Sequence, residues 1–220
     1  MKREIIITAD GSHTVAIPDL NVTYHSRRGA LQESVHVFIE AGLRYVISQS
    51  TIPSINLFEM GFGTGLNAFL TAIEAEKQQR KIQYTAVEQY PVSPEEAAGL
   101  NYPKTLQHHK LFTALHQSPW NEDVSIGSSF TLRKEKTSLF NFSTNQLFNL
   151  IYYDAFAPAA QPELWTIEVF QKLFDLLTPG GVLVTYCAKG DVSRAMVAAG
   201  FTVTKLPGPK GKREMLRVEK

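Results

Sequence analysis

A glycine-rich loop between an apolar run and a helical pattern is the first place in the sequence where a ligand could bind. Residues 55–58 are typical of a buried parallel strand, and the apolar spacing of residues 66–77 predicts an amphipathic helix. Gly61, Gly63 and Gly65 lie between them and let the backbone turn sharply and approach a ligand closely. The unpaired N–H groups of the helix N-terminus then face that ligand. The order of strand, loop and helix therefore predicts a cofactor site.

The identity of the cofactor depends on the glycine spacing and on two acidic residues. The loop reads Gly-x-Gly-x-Gly, in which the third glycine comes too early for the dinucleotide-binding fingerprint. Glu59 lies at the strand end, where a carboxylate repels a pyrophosphate but attracts the ammonium of a methionine moiety. Glu88 ends the next apolar run, at a spacing that suits a carboxylate bound to a ribose. Each glutamate alone is more often a solvated strand end, but together they favour S-adenosylmethionine over NAD.

A third apolar run, residues 147–153, ends in Asp154, which we expect to lie near the glycine loop. In open α/β sheets, ligands bind beyond the carboxyl ends of the strands, near the topological switch point. Two prolines then delay the next helix and leave an irregular loop that contains Phe156 and Trp165. We expect this loop to form an acceptor pocket. The simpler alternatives are a turn role for Asp154 and core packing for Trp165.

Composition excludes several classes of protein. The chain has 220 residues, of which 44% are hydrophobic and 20% charged, as expected for one globular domain. Cys187 is the single cysteine, so no intrachain disulfide can form, and no export segment opens the sequence. No stretch approaches the roughly 20 apolar residues of a membrane span. We therefore expect a cytoplasmic protein whose net charge of +1 provides no global attraction to nucleic acid.

The elements before the glycine loop form an extension. Residues 5–8 and 14–17 predict a β-hairpin around Asp10-Gly11, and residues 29–47 carry a helical apolar stripe. A polar and aromatic connector, residues 24–29, separates them and in the simplest interpretation is a surface loop. We treat residues 1–220 as one domain, with residues 1–53 as an extension and residues 54–220 as the core.

The elements after Glu88 predict a sheet that ends in an antiparallel pair. Ser93 begins a short helix through a capping box, and one helix is expected over residues 106–120. Its three histidines lack the further ligands of a metal site, so no metal is predicted. The remaining predictions are strands over residues 130–133, 182–186, 201–206 and 214–218, a short helix or turn over residues 139–142, and helices over residues 166–177 and 191–199, the last capped by Asp191. A Pro/Gly-rich connector with three cations, residues 207–213, joins the final strands and by itself is typical of a solvated hairpin tip.

These motifs together resemble a known family. The stretch Glu-x-Gly-Phe-Gly-Thr-Gly-Leu-Asn from Glu59, followed by Glu88 and by Leu-x-Pro-Gly-Gly-x-Leu-Val from residue 177, resembles class I S-adenosylmethionine-dependent methyltransferases over most of the chain. The implied fold is α/β and Rossmann-like, with a mostly parallel seven-stranded sheet and an antiparallel C-terminal strand pair. Adenine contacts depart from the family pattern, because Glu135-Lys136 replaces the usual Gly-Asp.

A narrower resemblance rests on four ordered motifs. They are Tyr-x-Ser-x-x-Gly-Ala-x-x-Glu-Ser from Tyr24, the glycine loop, Asp-Ala-Phe-Ala-Pro-Ala-x-x-Pro-Glu-x-Trp from Asp154, and Lys-Arg-Glu-Met-Leu from Lys212. Together they resemble the methyltransferases of bacterial tRNA wobble-uridine modification, which convert 5-aminomethyluridine, often 2-thiolated, into 5-methylaminomethyluridine. Some members of that family also carry a flavin-dependent oxidase. A chain of 220 residues leaves no room for it, so an oxidase or another upstream enzyme would be a separate partner.

The resemblance implies roles for particular residues. Glu59 and the glycine loop would hold the methionine end of the cofactor, Glu88 its ribose, and Asp154 the reacting amine. The cofactor-binding set is Glu59, Gly61, Phe62, Gly63, Gly65, Asn67 and Glu88. Aromatic rings commonly stack on splayed RNA bases, which assigns Tyr24, Phe156 and Trp165 to the uracil. Phosphate contacts are assigned to Arg27, Arg28, Lys212 and Arg213.

Two other functions compete with the tRNA methyltransferase. The first is a methyltransferase or aminopropyltransferase that acts on a small amine, and the motifs at the two ends of the chain count against it. The second is a nucleotide-binding oxidoreductase or an inert binding module, and the short glycine spacing together with Glu59 counts against it.

Overall fold

The computed structural model describes residues 2–49 and 51–220, and its N-terminal part is a small sheet followed by a helical run. Strands β1 (Glu4–Ile7), β2 (His13–Ile17) and β3 (Val22–Thr23) pair antiparallel in chain order. The helical run comprises α1 (Ala30–Ser34), a π-helical stretch (Val35–Arg44) and α2 (Tyr45–Gln49). The predicted hairpin and the predicted helix are both confirmed.

The remaining elements are strands connected largely by helices, as expected for a doubly wound α/β fold. In chain order they are β4 (Ser54–Met60), α3 (Leu66–Lys77), β5 (Lys81–Val87), α4 (Pro94–Ala98), α5 (Tyr102–Leu106), α6 (His109–Gln117), β6 (Asp123–Ile126), β7 (Phe130–Glu135), β8 (Phe148–Tyr153), a 3₁₀ turn (Pro162–Trp165), α7 (Ile167–Leu176), β9 (Leu177–Thr185), α8 (Gly190–Ala198), β10 (Thr202–Pro207) and β11 (Glu214–Glu219).

The main sheet has the strand order β10-β11-β9-β8-β4-β5-β7-β6. Its five central strands, β9, β8, β4, β5 and β7, are parallel, and the pairs β10–β11, β11–β9 and β6–β7 are antiparallel. Chain order reverses between β4 and β8, so their carboxyl ends form the topological switch point at which α/β proteins bind ligands. The Rossmann-like class predicted from the sequence is confirmed.

Alternating side chains on the central strands build a separate core on each face of the sheet. Leu57 and Tyr152 belong to the core beneath the π-helical stretch and α3, whereas Phe58 and Tyr153 belong to the core beneath α7 and α8. Successive residues of a strand point to opposite faces, which explains the division. A Cβ at Gly42 would lie 3.0 Å from Val184, so glycine there permits the close approach of helix and sheet.

Three local predictions were wrong. The helix predicted over residues 106–120 is shorter, because Gln107 has a φ of 60° and ends α5 at Leu106, so that α6 begins only at His109. An eighth strand, β6, pairs at the sheet edge, where four residues were too few to reveal an alternating pattern. Asp191 lies in the first turn of α8 after Lys189, the N-cap residue, and its side chain does not cap the helix. None of the helices in the described ranges is long and apolar enough to cross a membrane.

Candidate active site

The glycine loop follows β4 and has a backbone that favours glycine at three positions. The φ angles of Gly61, Gly63 and Gly65 are 90°, 51° and 72°. A Cβ at Gly61 would lie 3.3 Å from the carbonyl oxygen of Asp154, and a Cβ at Gly63 would lie 3.0 Å from the ring of Tyr24. Side chains at these positions would fill the space above the loop, and glycine keeps that space open for a ligand.

Glu88 ties the glycine loop to the end of β5. Its carboxylate accepts a hydrogen bond from the backbone N–H of Gly63 at 2.9 Å and another from that of Tyr90 at 2.8 Å. The backbone N–H groups of Gly61 and Phe62 both donate to the carbonyl of Val87. The loop therefore has a defined position relative to the acidic residue that the sequence assigns to the ribose.

A cavity of about 1150 Å³, including space open to solvent, lies over the glycine loop at the switch point. The size suits a ligand of nucleoside dimensions. Eight predicted site residues line it, namely Tyr24, Gly61, Phe62, Gly63, Asn67, Glu88, Asp154 and Phe156. The fold thus brings eight of the fifteen predicted site residues together at this edge of the sheet.

Asp154 lies at the cavity wall and directly beside the loop. Its backbone N–H donates to the carbonyl of Met60 at 3.3 Å, and its carboxyl accepts a hydrogen bond from the side-chain amide of Asn67 at 2.9 Å. Burial and the negative charge of Glu33 raise the pKa of Asp154 to about 7, against the opposing effects of the Asn67 hydrogen bond and of Lys212. The carboxyl can therefore hold or release a proton near neutral pH.

Glu59 does not reach the cavity wall, contrary to the expectation that its carboxylate meets the methionine ammonium. It is 1% exposed, and neither carboxyl oxygen has a hydrogen-bond partner of good geometry. Burial raises its pKa well above the usual range, while Tyr84 and Asn67 oppose the rise. The strand alternation turns this side chain inward beneath the loop, since Met60 is the residue that faces the cavity.

The aromatic residues of the predicted acceptor pocket have different environments. The rings of Tyr24 and Phe156 meet edge to face, with centroids 5.2 Å apart, at the cavity. Trp165 is 7% exposed and packs in the core against Tyr153 and Phe170, so stacking of Trp165 on a base is not supported. Its indole N–H donates to the carbonyl of Phe156 at 2.8 Å. Trp165 therefore fixes the position of the Phe156 backbone.

The fold brings two basic segments together. The side chain of Arg28 lies over Gly211, where a Cβ would come within 2.1 Å of its Cδ, and His36 is 2.8 Å from the carbonyl of Pro207. Arg27, Arg28, Lys210 and Arg213 are exposed. We define these four residues as the basic surface. Lys212 does not belong to it, because its ammonium is bound to Glu33 at 2.6 Å rather than free to meet a phosphate.

Several residues at the site escaped the sequence prediction. Arg3 lines the cavity and pairs with Glu96 at 3.0 Å, and buried His25 lines it beside Thr14. Thr137 and Ser138 line it after β7, at the strand end where the family pattern was absent. Of these residues, only Thr137 and Ser138 could have been predicted from the sequence, because the order of the strands places the end of β7 at this edge of the sheet.

Lys134 is a further residue that the sequence prediction missed. Its ammonium donates to the carbonyls of Leu115 and His116 at the end of α6 and lies 5.4 Å from the ring centroid of Phe62. Burial lowers its pKa to about 8. The inward alternation of residues 130, 132 and 134 could have identified this buried cation, which supports the glycine loop from below.

The histidines of α6 form no metal site. Among the described residues, no group of three or more metal-binding side chains is present. His116 instead lies 3.1 Å from the carbonyl of Thr64 and supports the loop.

Comparisons with known proteins agree with this geometry. A family model described as S-adenosyl-L-methionine-dependent methyltransferase matches residues 120–220. The chain is 33% identical over 213 residues to the tRNA 5-methylaminomethyl-2-thiouridine biosynthesis bifunctional protein MnmC of Magnetococcus marinus, a match that covers 91% of this chain and 31% of that protein. The protein of the same name from Cupriavidus metallidurans is 31% identical, and the match covers 96% of this chain and 33% of the relative. The chain thus spans about a third of the length of the curated relatives it matches.

Two solved structures share the fold over almost the whole chain. MnmC2 from Aquifex aeolicus superposes with a TM-score of 0.79 at 23% identity, covering 99% of this chain and 69% of that one. Spermidine synthase from Thermotoga maritima superposes with a TM-score of 0.55 at 12% identity, covering 99% and 68%. At these identities the likeness concerns the fold alone.

Proposed function

The chain belongs to the class I S-adenosylmethionine-dependent methyltransferases, and on this premise we propose that it methylates the amino nitrogen of 5-aminomethyluridine in tRNA. The product would be 5-methylaminomethyluridine at the wobble position, with or without a 2-thio group. The matched relatives carry this modification in their names, which supports the substrate. The single structural observation that supports it most is the half-buried carboxyl of Asp154 at the cavity wall, with its raised pKa.

The residues at the cavity fit S-adenosylmethionine. The open space above Gly61 and Gly63 would admit the methionine end, and Glu88 at the end of β5 would bind the ribose hydroxyls. Phe62, Gly65 and Asn67 complete the proposed cofactor-binding set. Glu59 would support the loop from beneath rather than act as a direct ligand. When bound, the cofactor supplies an electrophilic methyl group, so that the new N–C bond forms as the S–C bond breaks.

Asp154 would prepare the amine for attack. A primary amine with a pKa near 10 is protonated at neutral pH and must lose a proton before its lone pair can react. Transfer to a carboxylate of ordinary pKa is uphill by about 8 kcal/mol, whereas transfer to one with a pKa of about 7 is uphill by roughly 4 kcal/mol. Burial of Asp154 therefore lowers the free-energy cost of proton transfer from the amine. The Asn67 amide fixes the orientation of the carboxyl.

The acceptor base would lie between the N-terminal extension and the loop after β8. Tyr24 comes from the first segment and Phe156 from the second, and their rings meet at the cavity. A uracil splayed out of the anticodon loop would stack on these rings. We therefore propose that residues 54–220 form the catalytic core and that residues 1–53 complete its acceptor side.

The basic surface favours tRNA over the small-amine alternative. Arg27, Arg28, Lys210 and Arg213 would meet phosphates of the anticodon stem. The same cations would repel a polyamine, which carries positive charge along its length. A tRNA substrate also implies the cytoplasm as the site of action. An upstream oxidase or other enzyme that supplies the aminomethyl group remains a prediction from the family resemblance.

Mass spectrometry of nucleosides tests the proposal directly. Purified protein is incubated with S-adenosylmethionine and with tRNA that carries 5-aminomethyluridine, and parallel reactions contain putrescine or spermidine. The expected result is 5-methylaminomethyluridine in the tRNA digest, with the polyamines unchanged and with far less product from the Asp154→Asn variant in the same time. Methylated polyamine together with unmodified tRNA would establish the small-amine alternative instead.

A further inference from the structure

Lys212 forms a partly buried cluster with two residues from distant parts of the chain. Its ammonium lies 2.6 Å from a carboxyl oxygen of Glu33 and 3.8 Å from the ring centroid of Tyr186. The other carboxyl oxygen of Glu33 accepts the backbone N–H of Ser26 at 2.7 Å. The Glu33 side chain is 8% exposed and that of Lys212 33% exposed. An ion pair in this environment is screened far less than one on an open surface.

The cluster adjoins Asp154 through the backbone. The hydroxyl of Tyr186 donates to the carbonyl of Ala155 at 2.8 Å, and Ala155 is the residue after Asp154. Lys212 therefore stacks on a ring that holds the end of β8. The arrangement joins α1, the connector before β11 and the loop after β8, which we call the acceptor loop, at one point.

Charged and titratable groups from several elements act on Asp154. The carboxylate of Glu33 on α1 raises the pKa of Asp154, and the ammonium of Lys212 on the connector lowers it. Glu59 on β4, Tyr84 on β5 and Tyr186 after β9 also interact electrostatically with Asp154. Glu33 and Lys212 thus oppose each other in their effect on one carboxyl.

We propose that Lys212 is a positioning residue, which together with Glu33 and Tyr186 fixes both the place of the acceptor loop and the net charge that Asp154 experiences. Its role differs from that of the exposed cations of the basic surface, which face solvent. The inference rests on the proposed function in one respect only, namely that Asp154 accepts a proton from the substrate. During turnover one proton would pass from the substrate ammonium to the Asp154 carboxylate, and no bond to Lys212 forms or breaks.

Opposite shifts from two single substitutions follow from this arrangement. In Lys212→Met the charge of Glu33 is no longer balanced, so Asp154 should hold its proton to higher pH. In Glu33→Gln the charge of Lys212 is no longer balanced, so Asp154 should lose its proton at lower pH. A structural role alone would loosen the loop in both variants and move the titration in one common direction.

Carboxyl NMR provides the test in the free protein, without substrate or cofactor. The chain has six aspartates, so a sample labelled with ¹³C at the aspartate carboxyls gives few signals, and Asp154→Asn identifies the one from Asp154. We expect the midpoint to rise in Lys212→Met and to fall in Glu33→Gln, each by roughly half a pH unit or more, and to stay in place in Lys212→Arg. Arg213→Met is the matched control, since it removes an exposed cation from the same connector. Circular dichroism verifies that each variant is folded.

The outcomes separate this inference from the proposed function. Midpoints that stay unchanged, or that move in the same direction in both variants, would overturn the role of Lys212 whatever the enzyme methylates. Midpoints that shift in opposite directions uphold it even if tRNA proves not to be the substrate. If tRNA is methylated, the pH dependence of single-turnover methylation should shift with the NMR midpoint.

Discussion

The side-chain amide of Asn67 donates a hydrogen bond to the carboxyl of Asp154 at 2.9 Å and so joins the first turn of α3 to the end of β8. The other amide atom, Oδ1, is buried without a partner. One residue of the glycine-loop motif thereby positions the group that we assign to the acceptor. Under the proposed function, the methionine end of the cofactor and the reacting amine would meet beside this amide.

Replacement of Asp154 by Asn should reduce turnover while the cofactor still binds. The variant keeps the size of the side chain but cannot accept a proton, so single-turnover methylation should fall by roughly a hundred- to ten-thousand-fold. Part of the loss should be recovered at higher pH, where more of the substrate amine is already neutral. Equal rates for the variant and the parent across pH would make Asp154 a turn residue.

The same substitution should change how stability depends on pH. A carboxyl with a pKa of about 7 in the folded state and near 4 in the unfolded state binds more protons when folded, so the free energy of unfolding falls as pH rises between these values. In Asp154→Asn no carboxyl titrates at this position, so this fall in the free energy of unfolding does not occur. Between pH 5 and pH 8 the variant should gain about 2–3 kcal/mol of stability relative to the parent, as measured by urea unfolding. A difference that does not vary with pH would contradict the raised pKa.

A side chain at Gly63 should block cofactor binding through space rather than through backbone strain. Gly63→Ala places a Cβ 3.0 Å from Tyr24, whereas Gly127→Ala places one in open space at a similarly positive φ of 74°. Calorimetry with S-adenosylhomocysteine should show at least a tenfold loss of affinity in the first variant and none in the second. Equal affinities in the two variants would mean that no ligand approaches the loop at Gly63.

Glu88→Ala should weaken cofactor binding for a different reason. The variant has no carboxylate to bind the ribose or to accept the hydrogen bond from the Gly63 backbone. We expect a loss of about 1.5–3 kcal/mol, the usual range for a hydrogen bond to a charged group, without loss of the fold. Parental affinity in the same calorimetric assay would exclude Glu88 from the site.

The basic surface should contribute to tRNA binding through counterion release. Arg28→Ala combined with Arg213→Ala should weaken binding and reduce the slope of log affinity against log salt by about 1 for each phosphate that the protein no longer neutralises. Lys212→Met should leave that slope unchanged, because the ammonium is paired with Glu33. A lower slope in Lys212→Met would return Lys212 to the phosphate-binding set.

Local sequence patterns were sufficient to identify the centre of the site. Three closely spaced glycines and the acidic residues at the ends of three apolar runs predicted Gly63, Glu88 and Asp154 at one edge of the sheet. The prediction succeeded because the carboxyl ends of parallel strands meet at that edge whatever the rest of the chain does. Strand and helix patterns of this length depend mainly on residues that are close in sequence.

Contacts between distant residues were decided only by the tertiary structure. Glu59 proved to be buried beneath the loop and Trp165 to lie in the core, because sheet alternation and helix packing determine which way a side chain points. The cations of the connector had predicted a phosphate contact for Lys212. In the structure Lys212 instead pairs with Glu33, which is 179 residues away in the sequence, and this ion pair disfavours the phosphate contact. Burial and these distant charges also determine the pKa of Asp154, and neither can be read from the residues beside it.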